Sequence, residues 1–190
     1  MASIINASTS GAGGLISTAD NSGVLNLQSG GTTVASVTSS GLAVTGTLLV
    51  NGVAPTGKLI QVVQATYTAE FSTTSTSFVA TGLTASITPS SSSNKILVMV
   101  NTTQTCTSAS TNTYFTVYRG ATNIGFGTDS SLAKYVATSG YVITPVAINY
   151  LDSPATTAAT TYTGYFRTTG GTGYVNSSTS GTITLMEIAA

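Results

Sequence analysis

"KILVMVNTTQT", residues Lys95–Thr105, holds five consecutive apolar residues, Ile96–Val100, and then turns to Asn, Thr and Gln. A short continuous apolar run of this kind is expected for a β-strand covered on both faces. Alternation would put Ile96, Val98 and Val100 on one face and Leu97 and Met99 on the other. The stretch "TYFTVYR", Thr113–Arg119, alternates openly: Phe115 and Val117 point one way, Tyr114, Thr116 and Tyr118 the other.

Working outward, further strands are expected near Leu59–Phe71, Thr76–Ala80, Leu83–Thr88, Thr122–Gly125, Lys134–Thr138, Tyr141–Asp152, Thr161–Thr168 and Thr182–Ile188. Turn signals separate them at Ser90–Asn94, Arg119–Asn123, Ser139–Gly140, Gly170–Gly173 and Ser180–Gly181. Eight or nine strands in roughly 130 residues imply an antiparallel β-sandwich, a jelly roll, over 58–190.

The composition agrees with an all-β chain. Of 190 residues only ten are charged, five of each sign, and about a third are Ser or Thr. The apolar residues, 41% of the chain, are mostly Val, Ile, Leu, Ala and Tyr, which suit a pleated, half-buried surface. Zero net charge gives no electrostatic footprint for nucleic acid or an anionic membrane. It also makes a poorly soluble free monomer, more at ease in an assembly. No apolar run approaches a transmembrane helix, so no membrane insertion is expected. The start, "MASIINASTSGAGGLIS", lacks the basic and apolar regions of a secretory signal. The Asn-x-Ser/Thr triplets at Asn6, Asn101 and Asn176 therefore read as chance in a Ser/Thr-rich chain.

Upstream the pattern differs. All nine Tyr and all five Phe lie beyond residue 66. Residues 1–22 are rich in Gly, Ala, Ser and Asn and are expected to be flexible unless another protein holds them. Residues 23–52 divide into short strand-like units, Val24–Gln28, Thr33–Thr38, Gly41–Thr45 and Thr47–Asn51, punctuated by glycines, and Val53–Gly57 reads as a linker around Pro55. Each unit carries too few apolar residues to fold alone. Either these strands join the downstream sheet, or other copies of the chain cover them. The second reading makes residues 23–57 a fibrous β shaft and linker in a parallel homotrimer, with Val34, Val37, Leu42, Val44, Leu48 and Val50 as inter-chain contacts.

Catalysis finds little support. With no His there is no Ser–His or Cys–His nucleophile, and Cys106 stands alone as a small strand-end filler. Zinc-ligand clusters are absent, and the Gly-rich runs lack the context of a phosphate cradle, so no catalytic, metal or cofactor residue is assigned. Asp129 and Asp152 are the two acids that approach each other if their loops share one end of a sandwich, and random loop acids explain them better. In "TYTGYFRTTGGTGY", Tyr162, Tyr165, Arg167 and Tyr174 can stack on and hydrogen-bond sugar rings, although core and trimer-interface roles explain such aromatics more often. Arg119 is expected to end a strand and reach solvent or a neighbour's carboxylate.

The stretch "LNLQSGGTTVASVTSSGLAVTGTLLVNG" resembles the shaft segments of tailed-bacteriophage fibre proteins. "GKLIQVVQATYTAEFSTTSTSFVATGLTASITPSSSSNKILVMVN", with "TYFTVYRGATNIG" and "GTITLMEI", resembles a domain of tail-fibre and virion structural proteins of marine and cyanobacterial phages. In layout it is similar to the trimeric jelly rolls of tumour-necrosis-factor-like heads. The resemblance implies a non-enzymatic virion structural protein on the particle surface, made in the host cytoplasm. It implies a homotrimer, docked on other virion proteins through residues 1–22 and presenting residues 58–190 for host attachment, with host surface polysaccharide as a candidate partner. A capsid decoration or cement protein is the alternative, and a polysaccharide-degrading enzyme a third.

Overall fold

The computed structural model describes residues 24–29, 31–46, 57–138 and 140–190. These divide into two compact units, one before and one after residue 55/56. The docking arm over 1–22, the unit Thr47–Asn51 with Leu48 and Val50, and most of the linker lie outside the described residues.

The first unit is a sheet of its own, three antiparallel strands in the order β1 (Leu25–Ser29), β2 (Thr32–Thr38) and β3 (Gly41–Val44). Among the described residues its strands pair with one another. Gly31 and Gly41 sit at φ 79° and 125°, backbone that a side chain would strain, and they sit at the two turns. The register aligns Leu25 with Val37 and Val37 with Leu42; it aligns Leu27 with Ala35 and Ala35 with Val44. One face is therefore apolar in two cross-strand rows. The other carries Asn26 and Ser36, whose side chains hydrogen-bond at 2.6 Å. Alternation places Val34 with Ser36 on this second face, apart from Val37, Leu42 and Val44.

The second unit is a sandwich of antiparallel strands: β4 (Leu59–Tyr67), β5 (Phe71–Thr73), β6 (Val79–Ile87), β7 (Lys95–Cys106), β8 (Thr111–Arg119), β9 (Thr122–Asn123), β10 (Ala133–Ala137), β11 (Thr144–Asp152), β12 (Thr160–Thr168), β13 (Gly173–Val175) and β14 (Gly181–Ile188). One layer runs β10-β8-β12-β6, with β9 as a short hairpin partner of β8. In the other, the long strand β7 pairs with β11 along one edge and with β14 and then β13 along the other. β4 and β5 flank β14 and β13 in turn, so this layer is also four strands wide. Two antiparallel layers, each four strands wide, make a jelly-roll β-sandwich.

Between the layers lies one core, with Leu83, Ile87, Ile96, Val98, Val100, Phe115, Val117, Val146, Ile148, Tyr162, Phe166, Ile183 and Leu185 among its members. Every second residue of β6 from Thr81 to Ile87 is buried, as a half-buried strand requires. Gly164 faces Phe115: a Cβ there would lie 2.6 Å from the ring's Cζ, so the glycine admits the aromatic.

The structure corrects the reading of Ile96–Val100. Ile96, Val98 and Val100 are fully buried, but Leu97 and Met99 are only partly so. β7 is central within its layer, yet among the described residues of the sandwich no second sheet covers the layer's outer face. That face carries a cross-strand apolar row, Val62–Met186–Leu97–Leu151, set by the registers of β4, β14, β7 and β11. Val62 is 50% exposed and Leu151 55%.

Candidate functional site

Two buried polar clusters tie the sandwich together. Glu187 points inward from β14, fully buried. Its Oε1 accepts from the Ser90 backbone N–H (2.7 Å), Ser90 Oγ (2.7 Å) and Asn94 Nδ2 (2.6 Å), and its Oε2 accepts from Gln61 Nε2 (2.5 Å). Burial alone would raise this carboxyl's pKa. The donations from Asn94, Gln61 and Ser90 outweigh it and hold the group at about 2. The cluster pins the Ser90–Asn94 turn to the last strand.

At another point Arg119, ending β8, donates from Nη1 to both carboxylate oxygens of Asp152 at 2.9 Å, and Tyr162 donates to Asp152 Oδ2 at 2.6 Å. Burial, and then the hydrogen bond to Asp152, pushes the Tyr162 phenol above its ordinary range. Arg119 thus finds its carboxylate within the chain, on the facing layer.

The concave feature with convergent polar and aromatic groups lies on the outer face of the β10-β8-β12-β6 layer, an open hollow of about 580 Å³. Alternation along β12 turns Thr163, Tyr165 and Arg167 outward, opposite Tyr162, Gly164 and Phe166. Tyr118 points outward from β8 and stacks on Tyr165, ring centroids 3.9 Å apart and planes at 26°. Phe78, just before β6, meets Tyr118 edge-on at 6.3 Å. The chain leading to it is fastened by Thr168 N–H donating to the Ser75 carbonyl and by Ser75 Oγ donating to the Ser77 carbonyl. The Arg167 guanidinium lies between two rings, 5.1 Å from the centroid of Phe78 and 4.0 Å from that of Tyr114. Cation–π attraction and this sandwiching fix a side chain that is otherwise flexible.

The opposite wall is the loop after β9. Asn123 Oδ1 accepts from Thr116 Oγ1 (2.7 Å) and the Gly125 N–H (2.8 Å), and its Nδ2 donates to the Ser130 carbonyl (2.9 Å). Gly125 is obligatory there, since a Cβ would lie 2.5 Å from the Ser130 carbonyl oxygen. The loop carries Asp129, whose carboxylate stands 3.3 Å from Lys134 Nζ and 3.9 Å from Arg167 Nη2. Exposed pairs of this kind contribute little stability, so they act here mainly to orient the groups.

Of the four residues expected at a sugar site, Arg167 lines the hollow and Tyr165 stands beside it, stacked on the Tyr118 wall. Tyr162 is buried and its hydroxyl is committed to Asp152. Tyr174 lies in the other layer, edge-on to Tyr141 at 6.0 Å. Phe78, Tyr118 and Asn123 stand outside that expected set, and Asp129 was considered only as half of an acidic pair. Only Tyr118 carried a signal in the sequence, as an aromatic at an outward position of a clearly alternating strand. Asp129 and Asp152 do not form a pair, since each is bound to different cations. Among the described residues no group of three His, Cys, Asp or Glu converges. Cys106 is fully buried, its thiol donating to the Ser108 carbonyl. Asn176 is buried too, accepting from Thr102 and donating to the Tyr67 and Ala69 carbonyls, so it is a structural amide.

The class that these observations define is the antiparallel jelly-roll β-sandwich preceded by a separate small sheet. No protein-family profile and no curated protein matches the chain. Among solved structures it is similar to that of the infectious bursal disease virus Gx strain, with a TM-score of 0.40 and 12% identity over 77% of this chain and 42% of that one. It is similar also to the VP2 subviral particle of infectious bursal disease virus, with a TM-score of 0.37 and 12% identity over 68% of this chain and 37% of that one. The chain therefore spans about two-fifths of the length of the viral chains it matches.

Proposed function

We propose that this chain is a non-enzymatic virion structural protein of a tailed phage: a short homotrimeric tail or head fibre that docks through residues 1–22 and presents the sandwich for host attachment. The observation that carries the reading is the apolar face of β1–β3, exposed among the described residues. Leu25, Leu27, Val37, Leu42 and Val44 stand in register on that face and are between 37% and 61% exposed. A three-stranded sheet needs a hydrophobic face covered to persist, and copies of the same uncharged sheet can cover it without charge repulsion. Val34, Leu48 and Val50 complete the proposed contact set from the opposite face and from beyond the described residues.

A second reading, a capsid decoration protein, is favoured by the Val62–Met186–Leu97–Leu151 row, because a cement protein buries broad faces of its sandwich. Cryo-electron microscopy of the intact particle separates the two. A fibre is held by its first residues and projects its sandwich. A decoration protein lays that row against capsid subunits. Absence of the chain from purified particles would overturn both.

A further inference from the structure

We propose that the hollow between the Ser77–Phe78 segment, the outer faces of β8 and β12 and the Asn123–Ser130 loop binds a neutral saccharide. This deepens the attachment reading and rests on it for its biological setting. Four features carry it. First, Phe78 and Tyr118 form an apolar wall beside fixed polar groups, the mixture that suits a ring with one C–H face and a rim of hydroxyls. Second, the lining carries one charge of each sign, with Lys134 paired to Asp129 from outside it: Asp129 offers its remaining carboxylate lone pairs to a hydroxyl, and Arg167 keeps donors beyond those used on Asp129. A polyanion would meet Asp129 and a polycation Arg167, so an uncharged polyhydroxy ligand fits best. Third, the polar groups are held before any ligand arrives, Asn123 by three hydrogen bonds and Arg167 between two rings, so little ordering entropy is lost on binding. Fourth, a volume of about 580 Å³ lies within the usual range of small-molecule sites.

The test is saturation-transfer NMR on the full chain with neutral glucose-, galactose- and mannose-containing trisaccharides and a sialylated trisaccharide as probes. The expected result is transfer to at least one neutral probe, with affinity on the order of 1 mM. Asp129→Asn and Phe78→Ala should each weaken it by about tenfold or more, the factor for losing one buried contact or charge-assisted hydrogen bond. Ser77→Trp, at an exposed position used only through its backbone, should fill the hollow and abolish binding with an unchanged melting temperature. Tyr174→Ala, in the other layer, should leave binding unchanged. No transfer to any neutral probe, preference for the sialylated probe, or binding that survives Ser77→Trp would overturn the proposal. Failure of binding by a chain that microscopy finds on the particle overturns the site alone. Binding by a chain absent from particles overturns the virion reading alone.

Discussion

Glu187→Gln tests how the sandwich is closed, because it changes one oxygen to an amide and nothing in volume. In the native protein four donors converge on this carboxylate. Placing the glutamine carbonyl at Oε1 keeps three of them, each reduced from a charge-assisted to a neutral bond at roughly 0.5–1 kcal/mol apiece. The new amide then faces Gln61 Nε2, donor against donor. Gln61 cannot turn to relieve this, since its Nε2 also donates to the Thr88 carbonyl at 2.8 Å. One buried unsatisfied donor costs about 1–3 kcal/mol, so the total is about 2.5–6 kcal/mol. For a unit of this size that lowers the melting temperature by roughly 10–20 °C. The pH dependence supplies the sharper arm. Glu187 has its pKa lowered from 4.5 to about 2 in the folded protein, so its stabilisation is complete above the unfolded value. It is lost as pH falls from 4.5 toward 2. Circular-dichroism melts of both proteins between pH 7 and pH 2 (settings of the assay, about 1 unit apart) should show a gap at neutral pH that closes at the acid end. Equal melting temperatures at pH 7, or a gap of constant size throughout, would refute the cluster as described.

Val98→Asp buries a carboxylate at a fully inaccessible position and should unfold the sandwich or cost more than about 4 kcal/mol, whereas Ser91→Asp in the neighbouring turn should change stability by about 0.5 kcal/mol; thermal melting compares them. Gly164→Ala drives a methyl into the Phe115 ring and should cost about 1–3 kcal/mol, read by denaturant titration, and an unchanged midpoint would mean the ring does not pack there. Leu42→Asp, on the exposed apolar face of the small sheet, should leave the melting of the sandwich unchanged while lowering the molar mass seen in sedimentation, and an unchanged mass would remove that face from the assembly.

Alternation made much of the sandwich legible. It located β7, β8, β12 and β14 within one or two residues and set Phe115 and Val117 on one face, which the structure buries in the core. Where it failed, the reason was physical. Thr76–Ala80 and Leu83–Thr88 read as two strands because Gly82 interrupts them, yet β6 runs through that glycine at φ 86° beside a register shift against β12. Conversely, Leu59–Phe71 read as one strand but breaks at Thr68–Glu70, and β13 hid inside a glycine-rich turn because three residues are too few to show a period. The uniform run Ile96–Val100 could not reveal which of its faces is covered. The hollow was harder still. Phe78, Tyr118, Asp129 and Arg167 come from four segments joined by cross-strand register, which no linear spacing records. Tyr162 was separable from Tyr165 in the sequence itself, since residues three apart in a strand face opposite ways.

Completion of the chain by copies of itself is tested most directly by light scattering coupled to size-exclusion chromatography of the full-length protein. Three chains of 19.0 kDa predict a species of about 57 kDa that persists on dilution. A stable 19.0 kDa monomer, with the apolar face of β1–β3 left in water, would contradict it.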